Sequence, residues 1–425
     1  GTLEKHGYTN LYVLTGGLDA WKEAGLPVVR GVHVLSKAFG EIVGEVRQDG
    51  SRLSPAEVKA LVDSGDDNFV IIEVRPQEEV SKTGSIPGAI TISGVELPLR
   101  VADYAQSGRK IITTCAGRTR GYISCATLKL MGIPHIYDLD NGTKGWRLAG
   151  FELQKKIPQG PVPSAQSREK ADRFAEELIK EEGLQTISAG QLRDLRQKAG
   201  QETLYLLDVR TREEYEFIGH IPGSVPISGG QAIQNTDDTV PVRNGKIVFI
   251  CDNGTRAAIT AYWYKQMGFS HIYVLEGGLQ SWSQAGNALV SGSGEAVPLG
   301  FAEAAQQVAK ISASALKGAI DQKQDITIVD ISDSKSFAAG HIPGARWVPR
   351  GWLEKRIWDV VPDKKRFLVV TGHEWFGPVL AAKTLMDLGF HHVRVLAGGT
   401  DSWQAAGFWL DDGLEGVEPD DWFVH

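Results

Sequence analysis

The chain has 425 residues, of which 42% are hydrophobic and 23% charged, a composition typical of a soluble globular protein with about three domains. Its formal net charge of −7 excludes a general basic surface and argues against nucleic acids and acidic membranes as partners. No apolar run approaches the ~20 residues that span a bilayer. The three cysteines are too few for a disulfide framework, which predicts a cytoplasmic protein, and their spacing fits no zinc site, which predicts that no metal is bound.

An internal repeat organises the chain. Four segments share one ending, in which a glycine-containing pair is followed by a tryptophan and then by Ala-Gly. The tryptophans of this ending are Trp21, Trp146, Trp282 and Trp403. Because they are roughly 120 to 135 residues apart, each repeat has the length of a whole domain rather than of a solenoid unit.

Each complete repeat shows the same order of predicted elements. An apolar strand ends in an acidic residue within 70–75, 204–210 and 326–331. A turn containing Ile-Pro-Gly follows, and then come a second strand, a loop, a helix and a last strand before the shared ending. Short apolar strands that alternate with helices predict a parallel α/β sheet with helices on both faces.

These elements divide the chain into successive predicted domains. Residues 1–33 correspond to the C-terminal part of a truncated first domain, and we expect the remainder of that domain to precede Gly1, since a partial domain exposes apolar surface. The further predicted segments are a domain at 34–157, a linker and charged connector helix at 158–183, a domain at 184–290, a domain at 291–412 and an acidic tail at 413–425.

Two of these domains carry a cysteine in the loop between a predicted strand and a predicted helix. Cys115 follows the strand at 110–112, and Cys251 follows the strand at 246–250; an arginine stands five residues after each cysteine. Loop N–H groups, the helix dipole and the arginines predict a lowered thiol pKa and a nucleophilic thiolate. Asp252, beside the second cysteine, acts in the opposite direction.

Together these motifs resemble the rhodanese family of sulfurtransferases. The matching elements are the Asp-Val-Arg strand end at 208–210, the His-Ile-Pro-Gly-Ser turn at 220–224, the two cysteine loops and the Gly-Gly-x-x-x-Trp-x-x-Ala-Gly ending. They occur in the family's order and cover nearly the whole chain. The chain looks like a tandem protein of four rhodanese modules, of which the first is cut short.

The resemblance implies a ping-pong sulfur transfer that needs no cofactor or metal. Cys115 and Cys251 would be the catalytic residues, taking sulfur from thiosulfate or a similar small anion as a persulfide and passing it to cyanide, another thiophilic acceptor or an acceptor protein. The implied substrate-binding residues are Gly117, Arg118, Arg120, Gly254 and Arg256. Their guanidinium and N–H groups suit sulfur oxyanions and persulfides. The sequence does not determine the oligomeric state.

Loop length separates sulfur transfer from a related activity. Phosphatases that resemble this fold use a Cys-x5-Arg loop, which is one residue longer, and the seventh position here is Gly121 or Ala257. The loop length therefore favours sulfur over phosphate chemistry. A persulfide carrier, or an interaction scaffold with little small-molecule turnover, is the alternative that stays open.

The last domain departs from the pattern of the other two. Thr371 stands where they have cysteine, and no arginine follows within 372–377. A threonine hydroxyl without a neighbouring base is a weak nucleophile. We therefore expect this domain to be inactive.

The remaining motif residues are predicted to be structural. The four tryptophans should pack in cores, and Cys125 should be a core residue of the helix after the first loop. His220 and His341, which stand in Pro-Gly turns, should hydrogen-bond the backbone. Strand-end carboxylates should hold loop amides, with an arginine paired locally where there is one. These charged residues are Glu73, Arg75, Asp208, Arg210 and Asp330.

Overall fold

The computed structural model describes residues 2–5, 9–26, 35–45, 50–105, 108–198, 202–294, 298 and 300–414. The chain forms two compact units, unit 1 (Gly1–Glu295) and unit 2 (Ala296–His425). Within the described ranges, no helix is long and apolar enough to cross a membrane.

Unit 1 begins with three helices, α1 (Thr2–Lys5), α2 (Gly17–Glu23) and α3 (Leu35–Glu45). Trp21 of α2 is partly exposed, so the prediction that all four repeat tryptophans pack in cores is wrong at this position. The physical reason is that α2 buries none of its residues, since the described residues before it form no sheet that could cover it.

The first sheet lies between residues 52 and 139. Its elements are β1 (Arg52–Leu53), α4 (Pro55–Ser64), β2 (Phe69–Glu73), α5 (Gln77–Thr83), β3 (Ile90–Thr91), a 3₁₀ turn (Gly94–Glu96), α6 (Val101–Ala105), β4 (Lys110–Thr114), α7 (Thr119–Leu130), β5 (Ile136–Leu139) and α8 (Gly142–Leu148). The strands are parallel and lie in the order β1-β5-β4-β2-β3.

The second sheet follows a long charged helix, as the sequence predicts. The elements are α9 (Ala165–Glu181), β6 (Gln185–Ile187), α10 (Ala189–Gln197), β7 (Leu204–Asp208), a π-helical turn (Glu214–Ile218), β8 (Val225–Pro226), α11 (Gly229–Gln234), α12 (Thr236–Thr239), β9 (Lys246–Ile250), α13 (Thr255–Gln266), β10 (Ile272–Leu275) and α14 (Gly278–Gln284). Its parallel order, β6-β10-β9-β7-β8, repeats that of the first sheet.

Unit 2 holds the third parallel sheet, in the order β11-β15-β14-β12-β13. Its elements are α15 (Phe301–Gln307), β11 (Ala309–Ile311), α16 (Ala313–Asp321), β12 (Ile326–Asp330), α17 (Ser334–Ala339), β13 (Arg346–Trp347), a 3₁₀ turn (Arg350–Trp352), α18 (Leu353–Val360), β14 (Phe367–Thr371), α19 (Gly377–Asp387), β15 (His392–Leu396) and α20 (Gly399–Ala405).

The sheets confirm the predicted α/β fold. Strand interiors are apolar on both faces because helices cover both faces; in β9, for example, Ile247 and Phe249 join one buried cluster while Val248 and Ile250 join another. The predicted strand at 246–250 is found with the same limits. The predicted strand before Cys115 extends to Thr114.

Within unit 1, the domains of the first and second sheets share one apolar core. Val95 and Ile123 from the first domain belong to the same buried cluster as Ile259 and Trp263 from the second. Trp263 Nε1–H donates a hydrogen bond to Thr127 Oγ1 across the interface at 2.9 Å. The two cysteine loops of unit 1 are therefore parts of one packed body.

Helix α3 packs closely along α7, next to the first cysteine loop. A Cβ added at Gly40 would lie 2.8 Å from Thr119, and one at Gly44 would lie 2.5 Å from Tyr122. The ring of Phe39 on α3 is 6.0 Å from the ring of Trp263. Because glycine allows this close approach, α3 can cover α7 and form one wall beside the loop.

Candidate active site

Each cysteine loop leaves the carboxyl end of the central strand of its sheet. β4 ends at Thr114 and α7 begins at Thr119, so Cys115 opens a short turn between them. Cys251 occupies the same place between β9 and α13. This edge is where ligands of parallel α/β sheets bind.

The glycine-rich ending of the repeat packs directly against the loop. Thr143 N–H donates a hydrogen bond to the Cys115 carbonyl oxygen at 2.8 Å. A Cβ at Gly142 would lie 2.2 Å from that oxygen, and a Cβ at Gly278 would lie 2.3 Å from the Cys251 carbonyl oxygen. Both glycines also have positive φ angles, so a side chain there would be excluded by both contact and backbone conformation.

Both thiols are buried, and this contradicts the expected lowering of their pKa. Burial is the largest influence on Cys115 and raises its pKa, although Arg120 opposes the rise. Burial raises the pKa of Cys251 to about 11; Arg256 opposes that rise and Asp252 adds to it. The exposed fraction is 2% for Cys115 and 0% for Cys251. Desolvation disfavours the thiolate more than the loop charges favour it.

Backbone N–H groups surround both sulfur atoms, as the sequence predicts. Gly254 N–H donates to Cys251 Sγ at 3.1 Å. Hydrogen bonds from the backbone of Gly121 and Gly117 lower the pKa of Cys115 against the larger effect of burial. The two predicted substrate-binding glycines therefore contact the thiol itself, where the same N–H groups can stabilise an anionic sulfur.

Arg120, at the start of α7, is held by two side chains. Its guanidinium makes a bidentate ion pair with Glu79 at 2.6 and 2.9 Å, and its Nη1 donates to Gln231 Oε1 at 3.2 Å. Glu79 belongs to the same domain, whereas Gln231 comes from the second sheet's domain. The ion pair lowers the pKa of Glu79 in spite of its burial.

Arg256, at the same place in the second loop, is held by three carboxylates. It makes a bidentate pair with Glu214 at 2.7 and 2.8 Å, and a hydrogen bond to Asp252 at 3.0 Å. It also donates to Glu96, which lies in the first sheet's domain. Although burial acts to raise it, the pKa of Glu214 is about 2 because of its bonds with Arg256.

Arg118 lies at the surface and has a different environment. Its side chain donates to Asn141 Oδ1 at 2.7 Å and forms an ion pair with Glu41 of α3 at 2.9 Å. The guanidinium is about half exposed, so exchanging Glu41 for a bound anion would cost little.

A cleft of about 450 Å³ opens beside Cys115. Its wall includes the loop from 115 to 120 and, from α3, Lys37 and Glu41. Lys144 and the two loop arginines also line it, so four basic side chains face one acidic side chain. The cleft can therefore accept a small anion next to the thiol.

The predicted structural roles of the strand-end charges are confirmed. Arg75 and Arg210 each make a buried, bidentate pair with the carboxylate two residues earlier, Glu73 or Asp208, at 2.7–2.8 Å. The same carboxylates accept the backbone N–H of their arginine. In unit 2, Asp330 accepts the backbone N–H of Ser332, at the position where the other domains have the arginine.

The other structural predictions are confirmed within the described domains. Trp146, Trp282 and Trp403 are buried, and each indole N–H donates to a backbone carbonyl six residues later. The Nδ1 atoms of His220 and His341 lie 3.0 and 2.9 Å from backbone oxygens of their own domains. Cys125 is fully buried. Among the residues that the structure describes, no three His, Cys, Asp or Glu side chains form a candidate metal site.

The corresponding loop of unit 2 differs in length as well as in sequence. Thr371 is buried, and its hydroxyl is 2.9 Å from the hydroxyl of Thr400. The next helix begins only at Gly377, six residues after Thr371, whereas α7 and α13 begin four residues after their cysteines. His373 turns back to contact Asp401 at 2.8 Å and the Gly340 carbonyl at 3.1 Å.

Sequence reasoning missed the partners of the loop arginines. Glu79 and Glu214 stand four residues after Arg75 and Arg210, and comparing the repeats at that position would have found them. Glu96 and Gln231 also stand at matching positions, each three residues after the serine of a Ser-Gly pair. Their contacts across the domain interface have no signal in the sequence.

A family model for the rhodanese-like domain matches the chain three times, at residues 54–149, 188–285 and 312–406. The crystal structure of a thiosulfate sulfurtransferase from Pseudomonas aeruginosa superposes with a TM-score of 0.83 at 34% sequence identity. The match covers 97% of this chain and 76% of that chain.

Shorter relatives match single parts of the chain. A thiosulfate sulfurtransferase, GlpE, of Pseudomonas aeruginosa is 33% identical over 115 residues, which is 26% of this chain and 94% of the relative. The Bacillus subtilis protein YrkF is 27% identical over 101 residues, and the chain spans only 54% of its length. The three family matches, the repeated parallel sheets and the two loops lead to one conclusion: the chain belongs to the rhodanese-like family.

Proposed function

We propose that this protein is a sulfurtransferase that moves sulfane sulfur from thiosulfate, or a similar small anionic donor, to cyanide or another thiophilic acceptor through persulfides on Cys115 and Cys251. In the first half-reaction the thiolate attacks the outer sulfur of thiosulfate, the S–S bond breaks and sulfite leaves. The cysteine is then a persulfide anion. In the second half-reaction cyanide attacks the terminal sulfur, thiocyanate leaves and the thiolate returns.

The observation that supports this proposal most is the basic cleft at Cys115. Cys115 and four basic side chains line the cleft. Arg120 uses its terminal nitrogens to bind Glu79 and Gln231. Its Nε–H is buried and has no hydrogen-bond partner among the described residues, and the same is true of the Nε–H of Arg256. Each loop thus keeps one buried donor available for an oxyanion or a persulfide.

Burial of the thiols supports a second candidate, a persulfide carrier with slow small-molecule turnover. A thiol with a raised pKa is largely protonated near neutral pH and attacks a free donor slowly. An acceptor or donor protein that opened the loop would remove this limit. Three expectations from the sequence remain predictions whichever candidate is right. They are the domain limits (34–157, 184–290 and 291–412), the inactivity of the last domain and the cytoplasmic location.

Intact mass after incubation with thiosulfate tests the proposal. Wild type, Cys115→Ser and Cys251→Ser are compared, and a gain of about one sulfur atom that disappears with one substitution identifies the persulfide site. Cys125→Ser is the matched control, because Cys125 is fully buried in the core, and it should leave the gain unchanged. No gain on any of these proteins would refute thiosulfate as the donor. Steady-state thiocyanate formation then separates an enzyme from a carrier, which would show the gain without rapid turnover.

A further inference from the structure

The two domains of unit 1 are related by a reciprocal contact at their cysteine loops. The segment Ser93–Glu96 of the first domain matches Ser228–Gln231 of the second, and the two segments touch: a Cβ at Gly94 would lie 3.5 Å from Gly230 Cα. The last residue of each segment reaches the loop arginine of the other domain. Each domain therefore supplies one side chain to its neighbour's loop.

The reciprocal contact is symmetric in position but not in charge. Arg120 receives the neutral amide of Gln231, whereas Arg256 receives the carboxylate of Glu96. Both arginines already have an equivalent carboxylate from their own domain. Glu96 thus places one more negative charge at the second loop than Gln231 places at the first.

Other groups at the second loop add to this difference. A cleft of about 270 Å³ beside it is lined by four carboxylates and three arginines. At the first loop four basic groups and one acidic group line the cleft, and Glu79, which pairs with Arg120, is the second carboxylate there. The carboxylates of the second cleft are Glu96, Asp172, Glu214 and Asp252. The Cys251 thiol does not line this cleft, and Asp172 of α9 binds both Asn253 and Thr255 of the loop.

We propose that Glu96 and Gln231 set the charge preference of the two sites across the domain interface, so that the Cys251 site accepts anionic sulfur compounds less readily, relative to uncharged ones, than the Cys115 site does. Neither residue touches a reacting atom; both act through the loop arginine and are positioning residues. This inference rests on the proposed sulfur transfer for its biological meaning, but the charge preference itself can be measured without sulfur transfer.

The burial of the arginine–carboxylate cluster explains how Glu96 alone can change anion binding at the second loop. Arg256 is 3% exposed, so water screens its partners little. A bound anion needs unbalanced positive charge, and three carboxylates more than neutralise one guanidinium. Glu96 also binds Arg100 at 2.8 Å, but Arg100 lies further towards the surface and compensates less at the loop.

Paired alkylating reagents measure the charge preference at each cysteine. Iodoacetate is an anion and iodoacetamide is its neutral analogue of similar size, and both react with the thiolate. Both rates at one cysteine depend equally on the thiolate fraction and on how often the loop opens, so these two factors cancel in the ratio of the rates. The ratio therefore measures how strongly the site favours or disfavours an anionic reagent over a neutral one. Peptide mass spectrometry of the full chain at pH 9 gives the ratio for Cys115 and Cys251 separately.

The expected result has three parts. In the wild type the iodoacetate-to-iodoacetamide ratio is higher at Cys115 than at Cys251. Glu96→Gln raises the ratio at Cys251 by roughly tenfold, the effect of removing one unit charge from a poorly hydrated site. Gln231→Glu lowers the ratio at Cys115 by a similar factor. Asp63→Asn, which removes an exposed carboxylate on α4, should change neither ratio.

The design keeps the outcomes distinguishable. Glu96→Gln copies the arrangement that Arg120 already has with Gln231, so we expect the variant to fold. The comparison of the two cysteines in the wild type requires no substitution. Equal ratios at the two cysteines of the wild type would overturn the inference, even if both form persulfides. An unchanged Cys251 ratio in a folded Glu96→Gln protein would also overturn it. The predicted ratios without any persulfide after thiosulfate treatment would support the inference and refute the proposed donor.

Discussion

Raising the pH from 7 to 10 should accelerate the alkylation of Cys251 by iodoacetamide about tenfold for each pH unit, without a plateau. The reason is the burial of the thiol, which raises its pKa to about 11. With that pKa about one thiol in a thousand is ionised at pH 8 and about one in ten at pH 10. Because only the thiolate reacts, the rate follows this fraction.

The assay uses the full chain with Cys115→Ser and follows the peptide that contains Cys251 by mass spectrometry. The frequency of loop opening changes the alkylation rate by the same factor at every pH, so the slope of the logarithm of the rate against pH is unchanged. In concentrated urea the same cysteine should reach its plateau near the ordinary thiol pKa of about 8.5. A plateau near pH 7 to 8 in the folded protein would refute the reasoning. It would mean that the loop dipoles and Arg256 outweigh desolvation.

Three further predictions concern unit 2. Trp403→Ala should lower the free energy of unfolding, measured by urea titration, by about 3–5 kcal/mol, because it empties a buried site and removes an indole hydrogen bond. The control Trp409→Ala, at a position that is 75% exposed, should lower it by less than about 1 kcal/mol. Burial raises the pKa of Asp330, whose Oδ2 has no partner among the described residues. The stability linked to its proton is present below the ordinary Asp pKa and is lost as pH rises through the raised value. Asp330→Asn should therefore gain stability over the wild type between pH 4 and 8, and an unchanged difference across that range would contradict this. Thr371→Cys should gain no sulfur from thiosulfate, because its loop lacks the arginine and the early helix start; a mass gain at that residue would show that the thiol alone is sufficient.

Comparing the repeats with one another was enough to predict the parallel α/β fold and the location of each loop. The limits of the strand at 246–250 followed from its apolar run, because a strand that is covered on both faces is apolar over most of its length. The strand before Cys115 was predicted too short, because it continues through two buried threonines, Thr113 and Thr114. The repeated Gly-Gly and Trp positions were also predictable. Each is required by a local contact, such as the close approach of Gly142 to the Cys115 carbonyl, and Gly278 and Gly399 make the equivalent approach to a loop carbonyl in the other two sheet-bearing domains.

The electrostatics of the loops depended on tertiary structure. The sequence places Cys251 next to a helix N-terminus and an arginine, which favours a thiolate, but it does not show that the sulfur is completely buried. It also does not show that Arg256 meets Glu96, which is 160 residues away in the chain. A thiol pKa is set by the sum of desolvation and all nearby charges. Sequence by itself therefore determined which residues form the loops, and only the packing of one domain on the other decided the charge that each loop presents.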